Sequence, residues 1–359
     1  MKKIYNLTIA TDIQGKGGIS SVLNVLDSEC FFTDTKSKVL ISHSTNGRFG
    51  FLSQLMTFLL CIFKLLLNFI LFDIRLVHIH MASRGSYIRK SILIRLAKFF
   101  HVKVIIHLHG AEFRCFYNDE SSNSKRNHIR NTFNMADKII VLSNQWLFWL
   151  NTLLDDKTKG IVIYNAVPVL SLEPITRTDF FNFVFLGRLG KRKGVGDLIL
   201  AFSKVIELYP NARLFLGGDG DIDKFNNMSN NLGLENKVIF LGWISGDAKL
   251  DILNKADSFV LPSYNEGFPM GILEAMSCNI PVIASNVGGI PDAITSGEEG
   301  LLIDAGDVNS LIKAMIFSIE SPLEVKKMQA MASDKYMKNF SPGIIIPQII
   351  EIYKELGAI

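Results

Sequence analysis

The feature that most constrains this chain is a repeated alternation of short β-branched runs with helical stretches, maintained from one end to the other. That alternation is the pattern of parallel sheets covered by helices. In the first half the runs are approximately Ile4–Ala10, Lys38–Ser42, Leu76–His80, Val104–His107, Lys138–Leu142 and Gly160–Ile163. In the second they are Phe181–Leu186, Arg213–Gly217, Lys237–Leu241, Ser258–Leu261, Pro281–Ala284 and Gly300–Ile303. Six runs on each side of a midpoint predict an α/β chain of two doubly wound, Rossmann-like domains in tandem, residues 1–168 and 179–342. The linker is expected within Ala166–Asp179, which has two prolines and little periodicity. In open α/β sheets ligands bind beyond the carboxyl ends of the strands. Two such domains facing each other would enclose a deep cleft, and the loops after the strands are the places to look for chemistry.

At 359 residues the chain can bury two cores of ordinary size. Hydrophobic residues make up 48% and charged residues 20%, which suits a packed protein rather than a disordered one. Cys30, Cys61, Cys115 and Cys278 are far apart and form no CxxC pair. That argues against a zinc site or a disulfide framework and fits a reducing compartment. The opening MKKIYNLTIATDIQG reads as a first strand, not a signal peptide.

Charge is distributed unevenly. Residues 1–170 carry 21 Lys and Arg against 11 Asp and Glu, a balance of +10, whereas residues 171–359 carry 17 against 23, a balance of −6. A basic first half attracts anionic lipid or lipid-phosphate acceptors, or is simply a solvated surface. Phe51–Phe72 has the length of a membrane span, but Gln54, Lys64 and Asn68 interrupt it. It also lies between two strands of one sheet, so a helix resting at the lipid interface is the expectation. Arg84, Arg89, Lys90, Arg95, Lys98 and Lys103 follow it and favour surface attachment.

The most informative stretch is SFVLPSYNEGFPMGILEAMSCNIPVIASNVGGIPDAI, residues 258–294. A buried strand ends at Leu261, a polar loop carries Glu266 and Gly267, and Pro269 opens a helix that holds Glu274. The unpaired amides near Met270, Gly271 and Ile272 form an anion site. Gly267 and Gly271 allow close approach of backbone to a ligand. Glutamates eight residues apart on one helix would sit about 12 Å apart, too far for the carboxylate pair of a glycosidase. They suit two anchors on one long ligand. In FLGRLGKRKGVGDLILAF, Arg188 and Lys193 flank a glycine-containing loop after the seventh run and can neutralise a diphosphate. A basic loop can also be plainly solvated.

These motifs resemble those of family 4 retaining glycosyltransferases, which have the GT-B fold, and the resemblance covers nearly the whole chain. It implies that Glu266 contacts hydroxyls of a donor sugar and Glu274 the ribose of a nucleotide. It implies that Arg188 and Lys193 hold the donor diphosphate, with Phe268, Pro269, Met270 and Gly271 lining the site. Lys191 and Arg192 depart from the acidic residues often found there and are expected to be surface charges. Gly218, in LFLGGDGD, matches a turn beside the nucleotide base. DGDID contains D-x-D, but turn chemistry explains it. Gly17 and Gly18, in TDIQGKGGIS, match a loop next to donor phosphates; they do not complete GxGxxG, so a dinucleotide site is weakly supported. His109, before Gly110, matches a histidine that contacts the transferred sugar. His78, His80 and His107 are expected in the core or a cleft wall rather than on a metal. Ser143 and Asn165 match further cleft positions. A C-terminal helix within 343–359 would pack back on the first domain.

The resemblance therefore implies a retaining, metal-independent transferase without cofactor. It would move a hexose or N-acetylhexosamine from a nucleotide sugar, UDP favoured over GDP-mannose, to a lipid-linked glycan in surface polysaccharide synthesis. The expected location is cytoplasmic, peripheral on the inner face of the plasma membrane, with no nucleic-acid partner. A UDP-sugar epimerase of the same fold and a non-catalytic sugar-nucleotide-binding subunit are the competing readings.

Overall fold

All twelve runs form strands in the computed structural model, which describes residues 3–44, 50–170 and 180–359. The chain divides into two compact units, residues 1–166 with 342–359, and residues 167–341. Most of the expected linker, residues 171–179, lies outside the described residues.

The first unit runs β1 (Ile4–Thr11), α1 (Gly18–Ser28), α2 (Phe31–Asp34), β2 (Ser37–His43), α3 (Gly50–Leu71), β3 (Asp73–Met81), α4 (Gly85–Phe99) and β4 (Lys103–Leu108). It continues through α5 (Phe113–Asn118), α6 (Asn123–Met135), β5 (Lys138–Val141), α7 (Asn144–Leu150) and β6 (Gly160–Val162). Its strands pair in parallel in the order β2-β1-β3-β4-β5-β6. They read as near-continuous apolar runs because helices cover both faces: Leu7, Ile9, Val77, Ile79, Val104 and Ile106 are fully buried.

The second unit runs β7 (Phe181–Leu186), α8 (Val195–Leu208), β8 (Ala212–Gly217), α9 (Ile222–Asn231), β9 (Val238–Gly242), α10 (Asp247–Lys255) and β10 (Ser258–Leu261). It ends with α11 (Met270–Ser277), β11 (Val282–Ser285), α12 (Ile290–Ala293), β12 (Gly300–Ile303), α13 (Val308–Glu320) and α14 (Pro322–Asn339). Its parallel order is β12-β11-β10-β7-β8-β9. The last helix, α15 (Pro342–Glu355), belongs to the first unit. There Tyr353 packs edge-on against Phe31, Asn6 donates to the Ala358 carbonyl at 3.2 Å, and Lys138 pairs with Glu355 at 2.8 Å.

Helix α3 is amphipathic only in its packing. Phe58, Cys61, Leu65 and Phe69 form the buried stripe, and the helix contacts β2 and β3. Its opposite face exposes Leu52, Leu55, Met56, Leu59, Leu60, Phe63, Leu67, Ile70 and Leu71, with Leu52 72% and Phe63 62% accessible. By length and composition Leu52–Leu71 could cross a membrane. Its buried stripe packs against the sheet. The basic segment after it is less free than its sequence suggests. Arg84 is bound by Glu112 and Glu120, and Lys98 and Lys103 by Asp137, while Lys90 is buried.

Candidate functional site

In the second sheet the chain leaves β7 in one direction and returns on its other side at β10. The loops after these two strands therefore flank the reversal, where open sheets form a crevice for ligands. The loop after β7 carries Arg188, a 3-10 turn at Lys191–Lys193, and Gly194 as the cap of α8. Gly194 has φ +68°, and a Cβ there would come within 1.9 Å of the Pro262 carbonyl oxygen. Only glycine lets the two loops meet so closely. Tyr264 N then donates to Arg192 O at 2.8 Å, and Leu189 exchanges backbone bonds with Asp219 and Asp221. The DGD residues thus hold the loop through their main chain.

Glu266 lies at the centre of this junction with only 5% of its surface accessible. Its Oε1 accepts from Lys193 Nζ and from Ser263 Oγ, both at 2.6 Å. Arg192 donates to the Asn265 carbonyl at 2.7 Å and lies 3.8 Å from Glu266 Oε2. A buried carboxylate is tolerable only when paired and hydrogen-bonded, and here both conditions hold. Arg192, expected to be a surface charge, is instead tied into the loop. Arg188 is exposed and has no ion-pair or hydrogen-bond partner among the described residues. Glu274, on α11, is paired with Lys249 of α10 at 2.7 Å. Sequence reasoning passed over Lys249 because nothing in DAKLDILNK distinguishes it from an ordinary solvated helix charge.

Around these side chains the motif residues divide between lining and packing. Pro269 is the cap of α11 rather than its first helical residue, with the helix starting at Met270. Phe268 is buried with its ring 5.3 Å from Phe340, so its side chain serves the core. Gly267 is also buried, and its carbonyl accepts from Gly289 N at 2.7 Å. A Cβ on Gly271 would lie 2.9 Å from the Phe259 ring, so this glycine is already required for α11 to rest on β10. Gly218 follows β8 and donates to Gly242 O at 2.7 Å.

In the first unit, His78 and His80 on β3, His107 on β4 and His109 just beyond it stack their rings, with centroids 4.1–5.4 Å apart. Burial pushes His78 and His109 down to about 3, and His80 and His107 well below the usual imidazole value. All four are neutral near pH 7. Nitrogens of His78, His80 and His107 lie within 4.8 Å of one another. Their ring planes are 9–31° apart. His109 Nε2 bonds His80 Nδ1 at 2.9 Å, while His109 Nδ1 has no partner among the described residues. Gly17 caps α1 and Gly18 begins it. Ser143 is fully buried, and its hydroxyl accepts from Trp146 N at 3.2 Å, capping α7. Asn165 is buried beyond β6.

Residues 174–336 match the family described as Glycosyl transferases group 1. The chain is 30% identical over 290 residues to an uncharacterized glycosyltransferase of Methanocaldococcus jannaschii, covering 79% of this chain and 76% of that protein. It is 26% identical over 298 residues to N-acetyl-alpha-D-glucosaminyl L-malate synthase of Bacillus anthracis, covering 79% and 75%. It is 29% identical over 307 residues to UDP-Gal:alpha-D-GlcNAc-diphosphoundecaprenol alpha-1,3-galactosyltransferase of Escherichia coli, covering 78% and 75%. Among solved structures, sucrose-phosphate synthase from Thermosynechococcus elongatus superposes with a TM-score of 0.82 at 19% identity, covering 99% of this chain and 100% of that one. HepE from Anabaena in complex with UDP and glucose superposes with a TM-score of 0.77 at 18% identity, covering 98% and 99%.

Proposed function

We propose, for a chain that belongs to the group 1 glycosyl transferases and has their GT-B fold, that it moves a hexose or N-acetylhexosamine from a nucleotide sugar to a lipid-linked glycan. A UDP-sugar is the favoured donor. The observation that carries this reading is the junction after β7 and β10, where Lys193 and Glu266 meet at 2.6 Å and the same loop carries Arg188, which has no ion-pair partner among the described residues. One proton of the Lys193 ammonium engages Glu266, and the others remain for an anion.

Transfer requires a nucleoside diphosphate to leave an anomeric carbon while a hydroxyl attacks. The barrier falls mainly through stabilisation of charge on the departing diphosphate. Arg188, Lys193 and the amides opening α11 at Met270 and Gly271 supply that stabilisation, with no metal in the proposal. Glu266 receives the sugar hydroxyls and Glu274 the ribose. His109, neutral and with Nδ1 available, offers a hydrogen bond to a hydroxyl. The hydroxyl bonded to Glu266, that of Ser263, is fully buried and not placed to attack a sugar. Retention with same-face attack, the donor phosphate taking the acceptor proton, fits that arrangement.

The exposed apolar face of α3 supports peripheral attachment to the inner face of the plasma membrane, where a lipid-linked acceptor resides. Nine apolar side chains along one helix face exceed the scattered exposure normal for a soluble surface. The relatives' names contain anionic or diphosphate-linked acceptors, L-malate and a diphosphoundecaprenol glycan, which favours an acceptor of that kind.

A donor panel read by release of UDP or GDP tests the assignment. Release from one sugar nucleotide that depends on a lipid-linked acceptor is expected. Conversion of the sugar with no acceptor would indicate an epimerase, and binding without turnover a non-catalytic subunit. Arg188→Ala is expected to lower kcat by about 10²–10³; a change under twofold removes Arg188 from the mechanism.

A further inference from the structure

The first unit has its own reversal point, between β1 and β3, and a pair of cations stands beside it. Lys90 lies on α4, which begins just beyond the carboxyl end of β3, and is 2% accessible. Helical side chains lean toward the helix start. Accordingly Lys90 Nζ reaches back one turn to Ser86 Oγ at 3.4 Å, and that oxygen also accepts from Ala82 N at 3.1 Å. The ammonium is therefore held at the level of the strand ends. His43, at the end of β2, feels the charges of Arg89 and Lys90, and His80 and His109 feel that of Lys90.

No carboxylate answers these cations among the described residues. The ion pairs of α4 use Lys98, and Arg84 just before it, leaving Arg89 and Lys90 out. Arg89 Nε and His43 Nδ1 are buried with no hydrogen-bond partner among the described residues. Burial, followed by the neighbouring Arg89, pushes the Lys90 amine down to about 7. A buried charge with no counterion is unfavourable, and the half-buried Arg89 beside Lys90 adds repulsion. Methionine would fill the Lys90 position beside Cys61 without that penalty.

We infer that Arg89 and Lys90, with His43, form an oxyanion site in the first unit that receives a phosphate group of the acceptor. This deepens the transferase reading and rests on it only for the word acceptor; the site itself stands on the first unit alone. Arg89 supplies planar donors and Lys90 a point charge, the combination suited to a phosphate or diphosphate. Two sources carry that chemistry: the diphosphate of a lipid-linked glycan, or a phospholipid headgroup.

The test uses the full chain saturated with UDP, so that the proposed donor site is filled, titrated with inorganic pyrophosphate by calorimetry. Binding is expected, weakened at least tenfold in Arg89→Gln and in Lys90→Met, with UDP affinity within twofold of the parent. Without added anion, Lys90→Met should melt at a higher temperature than the parent, an outcome that a merely structural lysine would reverse. Phosphatidylglycerol vesicles separate the sources. Vesicle binding that is lost in Lys90→Met and competed by pyrophosphate assigns the headgroup. Vesicle binding indifferent to Lys90, beside Lys90-dependent pyrophosphate binding, assigns the acceptor diphosphate. The inference is overturned if neither probe binds in a Lys90-dependent way, or if Lys90→Met lowers the melting temperature while pyrophosphate affinity is unchanged. Absence of sugar transfer in the donor panel, with pyrophosphate binding intact, would sink the transferase reading and leave the site standing.

Discussion

Lys193 and Lys249 each neutralise a glutamate from far along the chain, across 73 and 25 residues. Their substitutions should separate kinetically. Lys249→Met leaves Glu274 without its partner, and because Glu274 is proposed to hold ribose equally in ground and transition states, the donor KM should rise about tenfold with kcat little changed. Lys193→Met removes charge stabilisation felt mainly in the transition state, so kcat should fall by about 10²–10³. Initial rates over a donor series distinguish the two; a pure KM effect at Lys193 would contradict its assigned role. Ser143 supplies a contrast. Its buried hydroxyl caps α7, so Ser143→Ala should cost about 1 kcal/mol in denaturant unfolding and leave both kinetic constants alone. Arg192 and Gly271 carry a similar lesson: the basic residue is bound to Asn265 O, and the glycine is required by Phe259. Neither contact can be inferred from residue type, since both partners lie on other segments.

At the level of elements, α3 was readable as a long apolar helix, but not which of its faces is covered. The stripe Phe58, Cys61, Leu65 and Phe69 is chosen by the sheet beneath it. Exposed Phe63 and Leu67 replaced together by glutamate should leave the unfolding midpoint nearly unchanged and weaken binding to phosphatidylglycerol vesicles by tenfold or more, measured by co-sedimentation. Because Arg84, Lys98 and Lys103 in the basic segment after α3 are engaged by Glu112, Glu120 and Asp137, attachment by apolar contact should survive high salt. Release of the parent protein by salt alone would show that charge, not α3, holds it. Helix α15 makes the opposite point. It follows the second unit in sequence yet contributes Tyr353 to the first, within 3.1 Å of His78 Nδ1.

At the scale of the whole molecule, the buried histidine stack links stability to pH. His78 titrates near 3 in the fold and near 6.5 when unfolded. Its folded value is depressed, so the unfolded state binds the extra proton between these limits and stability falls as pH drops below about 6.5. At pH 5.5 His78 should account for about 1.4 kcal/mol of lost stability, since a tenfold excess of protonated unfolded chain corresponds to that energy. Urea unfolding at pH 7.5 and 5.5 tests this; His78→Asn should shrink the difference by about 1.4 kcal/mol while His80, His107 and His109 keep the rest, and an unchanged difference would refute it.

Local chemistry determined the strand inventory, the two-sheet α/β architecture and the motif around Glu266, because β-branched runs, turn glycines and a capped helix act over a few residues. Tertiary structure alone decided the strand order, the two Lys–Glu pairs, the burial of Lys90 with no counterion among the described residues, and the burial of Ser143 and Phe268. Those outcomes depend on which distant segments share a low-dielectric space, and Coulomb energy and packing are set by distance in space rather than by separation along the chain.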